Sequence, residues 1–290
     1  MQAGGILVDQ PKQGRGEPSG GPPKTTARRW GAVPNFLAAQ QAQRRYLIRL
    51  SDAQELGISE AAFRQALWRL QHQHHVAPVG QRRGLWVIVP PEWRTMGAPP
   101  IEWYLDDLMA ALQQPYYVGL RSAAAYFGAT HYALQVHQVL VPEPLAMMTI
   151  GRTRIRFVRS PGVEAVPTIT QLSQGASVRV STAEATALDL LRHVKQAGGL
   201  TMVVTTLAQM QAQLTPLGMH DALERMAHVA AAQRLGFCLA LVGATKVARV
   251  IEYWLQDQPA RRISLDTAAS GGTFHEQWKL DVLHVPAIDL

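Results

Sequence analysis

Three histidines within four positions end the stretch "GISEAAFRQALWRLQHQHH", residues 57–75, and imidazole is a common metal ligand. His72 and His75 are one helical turn apart, but no cysteine or carboxylate nearby would complete a tetrahedral set. Histidines are also favoured at a helix C-terminus because the helix dipole is negative there. We therefore predict no metal site and interpret these histidines as surface residues or residues that face DNA.

A second group with ligand spacing is formed by His220, Glu224 and His228, which would share one helix face. An exposed polar stripe is the interpretation that we prefer. The chain has no glycine-rich phosphate loop, no HExxH motif and no nucleophile elbow. Its one cysteine, Cys238, stands in the apolar run "GFCLALVG", which is typical of a buried thiol. We predict no catalytic residue and no cofactor, and we do not expect an enzyme.

The positive charge of the chain is concentrated in its first third. Residues 1–95 carry 13 Lys and Arg against 6 Asp and Glu, whereas residues 96–290 carry 15 of each. A positive field beside a neutral body suggests an acidic polymer as the partner.

The start of the chain and its apolar runs bear on location. Residues 1–30 are rich in Gly and Pro at their start and contain few large apolar side chains, so we predict a disordered tail. No apolar run approaches the roughly 18 residues of a membrane span, and one cysteine suits a reducing compartment. We expect a cytoplasmic protein that contacts no membrane.

Residues 31–92 have the element order of a winged helix-turn-helix. Pro34 suits the first turn of a helix, and "SDAQELGIS" predicts a short helix followed by a turn, after which Ser59 can cap a second helix. The stretch "VAPVGQRRGLWVIVP" predicts a hairpin with Arg82 and Arg83 at its tip. In a winged helix-turn-helix the second helix enters the major groove of duplex DNA, and the wing arginines would meet phosphates or a minor groove.

The second helix would have two different faces. On a helical wheel, an apolar sector for packing is formed by Ala62, Phe63, Ala66, Leu67 and Leu70. We predict that the opposite face and its surroundings contact DNA through Arg44, Arg45, Ser59, Arg64, Gln65, Trp68, Arg69, His72, Gln81, Arg82 and Arg83. An ordinary solvated helix face is the alternative interpretation.

Residues 93–290 are predicted to form a larger mixed domain, so that the fold class of the whole chain is α+β. The segment "PPEWRTMGAPP" holds four prolines and is interpreted as a linker between the two domains. Helix and strand patterns then alternate, with a helix capped by Ser181 and Glu184 and further helices at about 201–213, 220–235 and 237–256.

The strand pattern "GRTRIRFV" alternates strictly and places three arginines on one face, namely Arg152, Arg154 and Arg156. This row is either a second surface that contacts phosphates or a solvated sheet face, and the solvated face is the interpretation that we prefer.

Several long motifs, in the expected order, resemble the AbiEi-type antitoxins. They are "VPNFLAAQQAQRRY", "RRGLWVIVPPEWRTMGAPPIEWYLDDLM", "YYVGLRSAAAYFGATH", "GRTRIRFV", "VSTAEATALDLL", "AGGL" and "AAQRLGF", followed by the closing "W…DL". The resemblance covers about residues 33–290. One departure is "YFGATHYALQVHQV", which stands where a His-Gly pair and a "HQ" step are common.

The resemblance implies a function beyond what the residues alone predict. Such proteins have an N-terminal winged helix-turn-helix that binds inverted repeats in their own promoter and represses a toxin–antitoxin operon. Their larger C-terminal domain counters a nucleotidyltransferase-like toxin of an AbiE abortive-infection system, a form of phage defence, in the family's type IV mode without a stable complex. Two alternatives stay open, namely an antitoxin that binds its toxin directly and an enzyme that modifies the toxin.

Overall fold

The computed structural model describes residues 1, 31–80, 84–129, 136–173, 175–268 and 271–287. The predicted tail therefore lies outside the described residues, apart from Met1. The described residues contain nine α-helices and three β-sheets, which confirms the α+β class. The helices are α1 Ala32–Ala42, α2 Glu60–His72, α3 Leu105–Ala111, α4 Leu120–Ala124, α5 Ala183–Arg192, α6 Leu200–Met210, α7 Pro216–Met226, α8 Val229–Leu241 and α9 Thr245–Gln256.

The strands follow the same chain order. They are β1 Leu47–Arg49, β2 Val76–Pro78, β3 Leu85–Ile88, β4 Tyr117–Val118, β5 Val136–Val141, β6 Met148–Ile150, β7 Thr153–Arg159, β8 Thr168–Ser173, β9 Ala176–Ser181, β10 Ile263–Ser264, β11 Thr273–His275 and β12 Leu280–Val282.

The N-terminal region, residues 31–89, consists of α1, β1, a 3₁₀ turn at Leu50–Gln54, α2 and the β2–β3 hairpin. Its sheet has the order β1-β3-β2, with both neighbouring pairs antiparallel. The short helix and the hairpin confirm the sequence pattern. The sequence pattern does not predict strand β1, because its three residues are too few to show the alternation of a strand.

The proline-rich segment after β3 is packed against the rest of the molecule. It forms 3₁₀ turns at Pro91–Trp93 and Ile101–Trp103, and Ala98 lies buried between them. The Trp103 ring also contacts the ring of Tyr46, with 4.8 Å between the ring centroids. These contacts tie the segment to the N-terminal region, so its prolines do not act as a free spacer. The boundary between the two predicted domains stays a prediction.

A six-stranded sheet of order β6-β7-β5-β4-β9-β8 lies at the centre of the molecule. One of its faces packs against the N-terminal region and α3, in one hydrophobic cluster that runs from Phe63 through Leu108 to Ile155 and Val180. Its other face packs against α5 to α9 in a second cluster that includes Leu188 and Leu235. A small sheet of order β10-β12-β11 adjoins this helical layer.

The helical layer differs from the sequence pattern in two details. Thr182 rather than Ser181 caps α5, because the Thr182 hydroxyl accepts the N–H of Ala185 at 3.2 Å. Ser181 lies buried at the end of β9 and shares a 2.7 Å hydrogen bond with Thr186. Where three helices were expected after residue 200, four are present, since the chain turns between α7 and α8 at the left-handed residue Ala227.

Among the described residues, no helix has both the length and the apolar character needed to cross a membrane.

Candidate nucleic-acid interface

Helix α2 begins where its sequence predicts. Ser59 precedes the helix in extended backbone, and its hydroxyl accepts the N–H of Ala62 at 3.2 Å. Glu60 follows in the first turn, where the helix dipole favours a carboxylate. Helical spacing places Phe63, Leu67 and Leu70 on one buried face, whereas Ala62, which was predicted to pack with them, is exposed. Burial of each large apolar side chain stabilises this position of the helix by about 2 kcal/mol.

The opposite face of α2 is exposed, as predicted. It presents Arg64, Gln65, Trp68, Arg69 and His72 to solvent. The Trp68 side chain is 59% exposed, and its ring meets the ring of His72 edge to face with 4.2 Å between centroids. The exposed part of the Trp68 indole is apolar surface that would be stabilised by contact with a partner. The neighbouring guanidinium groups can bind phosphates or base edges.

The three histidines at the end of α2 have separate positions. His72 packs against Trp68, and His74 adopts a left-handed backbone with φ 57° just past the helix end. The His75 Nε2 atom lies 3.4 Å from a guanidinium nitrogen of Arg94, and burial together with this cation lowers the pKa of His75. Within the described residues, no group of three or more His, Cys, Asp or Glu side chains could hold a metal ion.

The predicted tip of the wing lies outside the described residues, so Gln81, Arg82 and Arg83 have no structural account. The base of the wing is described on both sides. The Gly84 carbonyl accepts the N–H of Leu50 at 2.9 Å, and the Gly80 N–H donates to the carbonyl of Thr149 in β6 at 3.1 Å. The wing is therefore joined to the N-terminal region on one side and to the edge of the central sheet on the other.

The β6–β7 turn is held against the proline-rich segment by a close approach of two glycines. Gly97 and Gly151 both have left-handed backbones, and a Cβ at Gly151 would overlap the Gly97 carbonyl. The adjacent Arg152 N–H donates to the Met96 carbonyl at 2.9 Å. Only residues without a Cβ permit this contact, which fixes the start of β7 beside the wing base.

The arginine row on this hairpin keeps the alternation expected from the sequence. Arg152, Arg154 and Arg156 are exposed, whereas Ile155 between them is buried in the cluster shared with the N-terminal region. In the β6–β7 pair, Arg154 stands opposite Thr149, the residue that accepts the hydrogen bond from the wing base. The row thus starts one strand away from the wing, a proximity that no local pattern in the sequence could reveal.

Arg44 and Arg45 are exposed, but their described neighbours lie outside α2. The Arg44 side chain contacts Gly175 at the β8–β9 turn, and Arg45 is close enough to lower the pKa of Asp107 in α3, although burial and Asp106 raise that pKa overall. These two arginines therefore lie at the junction with the central sheet. The structure does not tie them to the exposed face of α2.

Arg49 is an exposed cation that the sequence analysis did not include. It ends β1, stands opposite Leu85 in β3, and so lies beside the wing base at Gly84. The backbone N–H of Arg49 donates to the Asp52 carboxylate at 2.8 Å. Recognition of β1 as a strand would have been the signal, because only pairing with β3 places Arg49 next to the wing.

The other groups considered for chemistry do not form one site. The Glu224 carboxylate accepts from the Trp254 indole at 2.6 Å, and the His228 ring accepts the N–H of Ala231 at 3.1 Å, where it caps α8. His220 is exposed on α7. Cys238 is buried, and burial raises the pKa of its thiol to about 12, which is the reverse of an activated nucleophile.

One buried carboxylate stands out in the helical layer. The Tyr117 hydroxyl donates to the Asp189 carboxylate at 2.7 Å, and burial raises the pKa of Asp189 to about 7 despite this hydrogen bond and the nearby Arg192. Burial also lowers the pKa of His193, one turn further along α5, to about 4. These groups are enclosed between α5 and β4, so they bear on the stability of the fold.

Three comparisons place the chain among known proteins. Residues 117–241 match the family model described as the AbiEi antitoxin C-terminal domain. No curated protein matches the sequence. Among solved structures, the crystal structure of RV2827C protein from Mycobacterium tuberculosis is 15% identical with a TM-score of 0.63, and the match covers 88% of this chain and 91% of that chain. At this identity the likeness concerns the fold alone.

A second solved structure, the solution structure of the antibiotic-resistance factor ANT(2'')-Ia, is 12% identical over 52% of this chain and 88% of that chain. Its TM-score of 0.27 is too low to support an argument about this protein. The family match covers the strand β7 with its arginines and the helices α5 to α8 of the helical layer. Over residues 117–241 the chain therefore resembles the C-terminal domain of the AbiEi antitoxins, and over these residues the resemblance seen in the sequence is confirmed.

Proposed function

We propose that this antitoxin binds duplex DNA through its N-terminal region, as a winged helix-turn-helix, and represses transcription of its own toxin–antitoxin operon. The observation that carries the proposal is the exposed face of α2, where Arg64, Gln65 and Trp68 stand opposite the buried Phe63, Leu67 and Leu70. A helix held in this way can enter a major groove with its polar side chains directed at base edges.

The position of the wing supports the same proposal. Its base follows α2 through the β2–β3 hairpin and meets the β6–β7 hairpin at Thr149, next to the row of Arg152, Arg154 and Arg156. Because Ile155 packs against the N-terminal region, the arginines on either side of it point to the opposite face of the sheet. We infer that DNA bound to α2 would reach this row only by curving around the sheet edge beside the wing, where its arginines would add phosphate contacts. Such contacts strengthen binding to every sequence and do not select one.

The partners follow from the family. An antitoxin implies a toxin, and we propose a nucleotidyltransferase-like toxin encoded beside this chain, with inverted repeats in the shared promoter as the DNA target. In a cytoplasmic phage-defence system of this kind, repression would keep transcription of the operon low until infection. Direct contact between antitoxin and toxin is not required by this proposal, and no enzymatic step is assigned to either domain.

The experiment is a fluorescence-anisotropy titration of the full chain with duplex DNA from its own upstream region, compared with a shuffled duplex of equal length. We expect Arg64→Ala to weaken binding of the upstream duplex by about 1–3 kcal/mol, with a much smaller effect on the shuffled duplex. We expect Arg82→Ala to weaken binding of both duplexes and to lower the salt slope by about one.

The matched control is Arg225→Ala, which removes an exposed arginine of α7 whose nearest acid, Asp221, is 3.7 Å away. If neither Arg64→Ala nor Arg82→Ala differs from this control, the assignment of α2 and the wing to DNA is wrong. Stable co-purification of the downstream gene product with a chain that binds no DNA would favour the alternative, an antitoxin that binds its toxin directly.

A further inference from the structure

The two edges of the central sheet differ in what covers them. Strand β6 at one edge accepts a hydrogen bond from the wing base, through the Thr149 carbonyl and the Gly80 N–H. Strand β8 at the other edge, residues Thr168–Ser173, pairs with β9 on one side only. A paired edge and an open edge therefore lie about five strand spacings apart in the same sheet.

The hydrogen-bonding groups on the open side of β8 follow from its register. The Thr182 N–H donates to the Pro167 carbonyl at 3.0 Å, so these two residues form a hydrogen-bonded pair of the antiparallel ladder. Hydrogen-bonded and non-hydrogen-bonded pairs alternate along such a ladder, so the next hydrogen-bonded pair is Ile169 opposite Val180. The backbone groups of the alternate residues, Thr168, Thr170 and Leu172, point away from β9. These groups have no hydrogen-bond partner among the residues that the structure describes.

Strand β8 also lacks the features that usually protect a sheet edge. Its sequence "TITQLS" contains no charged residue and no proline, and its register with β9 has no bulge. Two large apolar side chains on it are open to solvent, Ile169 at 40% and Leu172 at 71% exposure. An uncharged strand of six residues with β-branched side chains is well suited to accept another strand.

We propose that β8 pairs with β8 of a second copy of this chain, antiparallel, about a two-fold axis at Thr170. In this register Thr170 stands opposite its own counterpart, and Thr168 stands opposite Leu172 in both directions. All three pairs are made by residues whose N–H and C=O groups point outward, so each pair exchanges two hydrogen bonds and six form in total. A strand of this composition is its own complement, because no two like charges would face each other.

The side chains fit the same arrangement. A two-fold axis perpendicular to the sheet keeps both copies in the same orientation, so Leu172 covers Thr168 on one face and Ile169 lies opposite Gln171 on the other. The exposed apolar surface of Ile169 and Leu172 would then be partly buried between the two copies. The two N-terminal regions would lie on the same face of a continuous twelve-stranded sheet, an arrangement with the symmetry of an inverted repeat. The pairing itself does not depend on DNA binding.

The first test is sedimentation velocity of the full chain without DNA, over about 1–200 µM, the range in which small interfaces associate. We expect a dimer fraction that rises with concentration, and we expect Leu172→Lys to lower it at least tenfold, because the change removes the apolar contact with Thr168 and places a charge within each strand pair. Leu217→Lys is the matched control, since Leu217 on α7 is 83% exposed and far removed from the sheet edge in sequence.

The second test fixes the register. Thr170→Cys would bring two sulfur atoms together across the axis, because residues of such a pair have Cα atoms about 5.5 Å apart, within the range of a disulfide. The native Cys238 is buried and gives no background. We expect Thr170→Cys to cross-link on mild oxidation at least ten times faster than Leu217→Cys.

Two outcomes overturn the proposal. The first is a chain that stays monomeric at every concentration, which would leave the β8 edge for a strand of a different protein. The second is a dimer that Leu172→Lys leaves intact, or in which Thr170→Cys reacts no faster than the control, because the interface would then lie elsewhere.

Discussion

The two faces of the central sheet are packed by different means. On the face covered by the N-terminal region the buried side chains are aliphatic or aromatic, and every other buried polar or charged residue among those described comes after residue 121, in the sheet and its helical layer. The helical face buries Asp189, Glu184 and Gln233, each with hydrogen bonds to neighbouring elements. One face is held by apolar packing. The other face also has buried hydrogen bonds, which fix one arrangement of the helices on the sheet.

This difference separates the residues that could bind DNA from those that stabilise the fold. Because the N-terminal region needs no buried charge for its packing, its arginines remain at the surface. The helical face works in the opposite way, since the Glu184 carboxylate accepts both the N–H and the hydroxyl of Thr215, at 2.8 and 2.9 Å, and so fixes the start of α7. We therefore expect pH to act mainly on the helical face, and added side-chain volume to act mainly on the junction with the N-terminal region.

The largest expected effect concerns Asp189. Burial raises the pKa of its carboxyl from 3.8 to about 7, so the folded protein holds a proton that the unfolded chain releases above pH 4. This stabilisation is complete below about pH 4 and is lost as the pH rises to about 7. From the shift, the free energy of unfolding should fall by about 4 kcal/mol over this window. Urea unfolding of the wild type and of Asp189→Asn between pH 4 and pH 8 measures it.

The asparagine variant isolates this group from others that titrate in the same range. Burial lowers the pKa of His193 to about 4, so its contribution has the opposite sign and is lost as the pH falls from about 6.5. His193 is present in both proteins and cancels in their difference. Parallel pH profiles for wild type and Asp189→Asn would contradict the assignment of a buried proton to Asp189.

The second prediction concerns the glycine contact that joins the β6–β7 turn to the proline-rich segment. Gly151→Ala should lower the free energy of unfolding by about 3 kcal/mol, because the new Cβ would overlap the Gly97 carbonyl in a left-handed backbone. Gly162→Ala is the matched control, since Gly162 is also left-handed but has no atom within 4 Å of the added Cβ. We expect about 1 kcal/mol from the control, measured by urea unfolding.

An equal loss in the two alanine variants would mean that backbone conformation alone accounts for Gly151. The close approach to Gly97 would then contribute nothing to the packing of the β6–β7 turn on the proline-rich segment.

The sequence predicted those parts of the N-terminal region that follow from a local period or a local cap. The spacing of Phe63, Leu67 and Leu70 defined the buried face of α2, and Ser59 defined its start. Strand β1 escaped prediction because three residues are too few to show a period of two. It is recognised only through its pairing with β3, which is distant in the sequence.

The candidate site shows the same limit. Its exposed residues on α2 and the alternation of the β7 arginines could be predicted, because each depends on neighbours within one element. The hydrogen bond from Gly80 to Thr149 could not, since it joins residues far apart in the chain. The cap of α5 was wrong for a related reason: Ser181 and Thr182 are both competent caps, and only the buried bond of Ser181 to Thr186 decides between them.

The smallest expected effect concerns the arginine row of β7. It tests whether the central sheet contacts DNA in addition to the N-terminal region. Arg156→Ala should weaken binding of upstream and shuffled duplexes equally, by about 1 kcal/mol, and lower the salt slope by about one, as expected for one lost phosphate contact. Arg225→Ala on α7 is the control, because Arg159 on the same strand has the parity of Ile155 and so points to the face covered by the N-terminal region. An effect of Arg156→Ala no larger than that of Arg225→Ala would confine DNA binding to the N-terminal region. The arginine row would then be a solvated sheet face, and the two faces of the sheet would differ in packing but not in their contact with DNA.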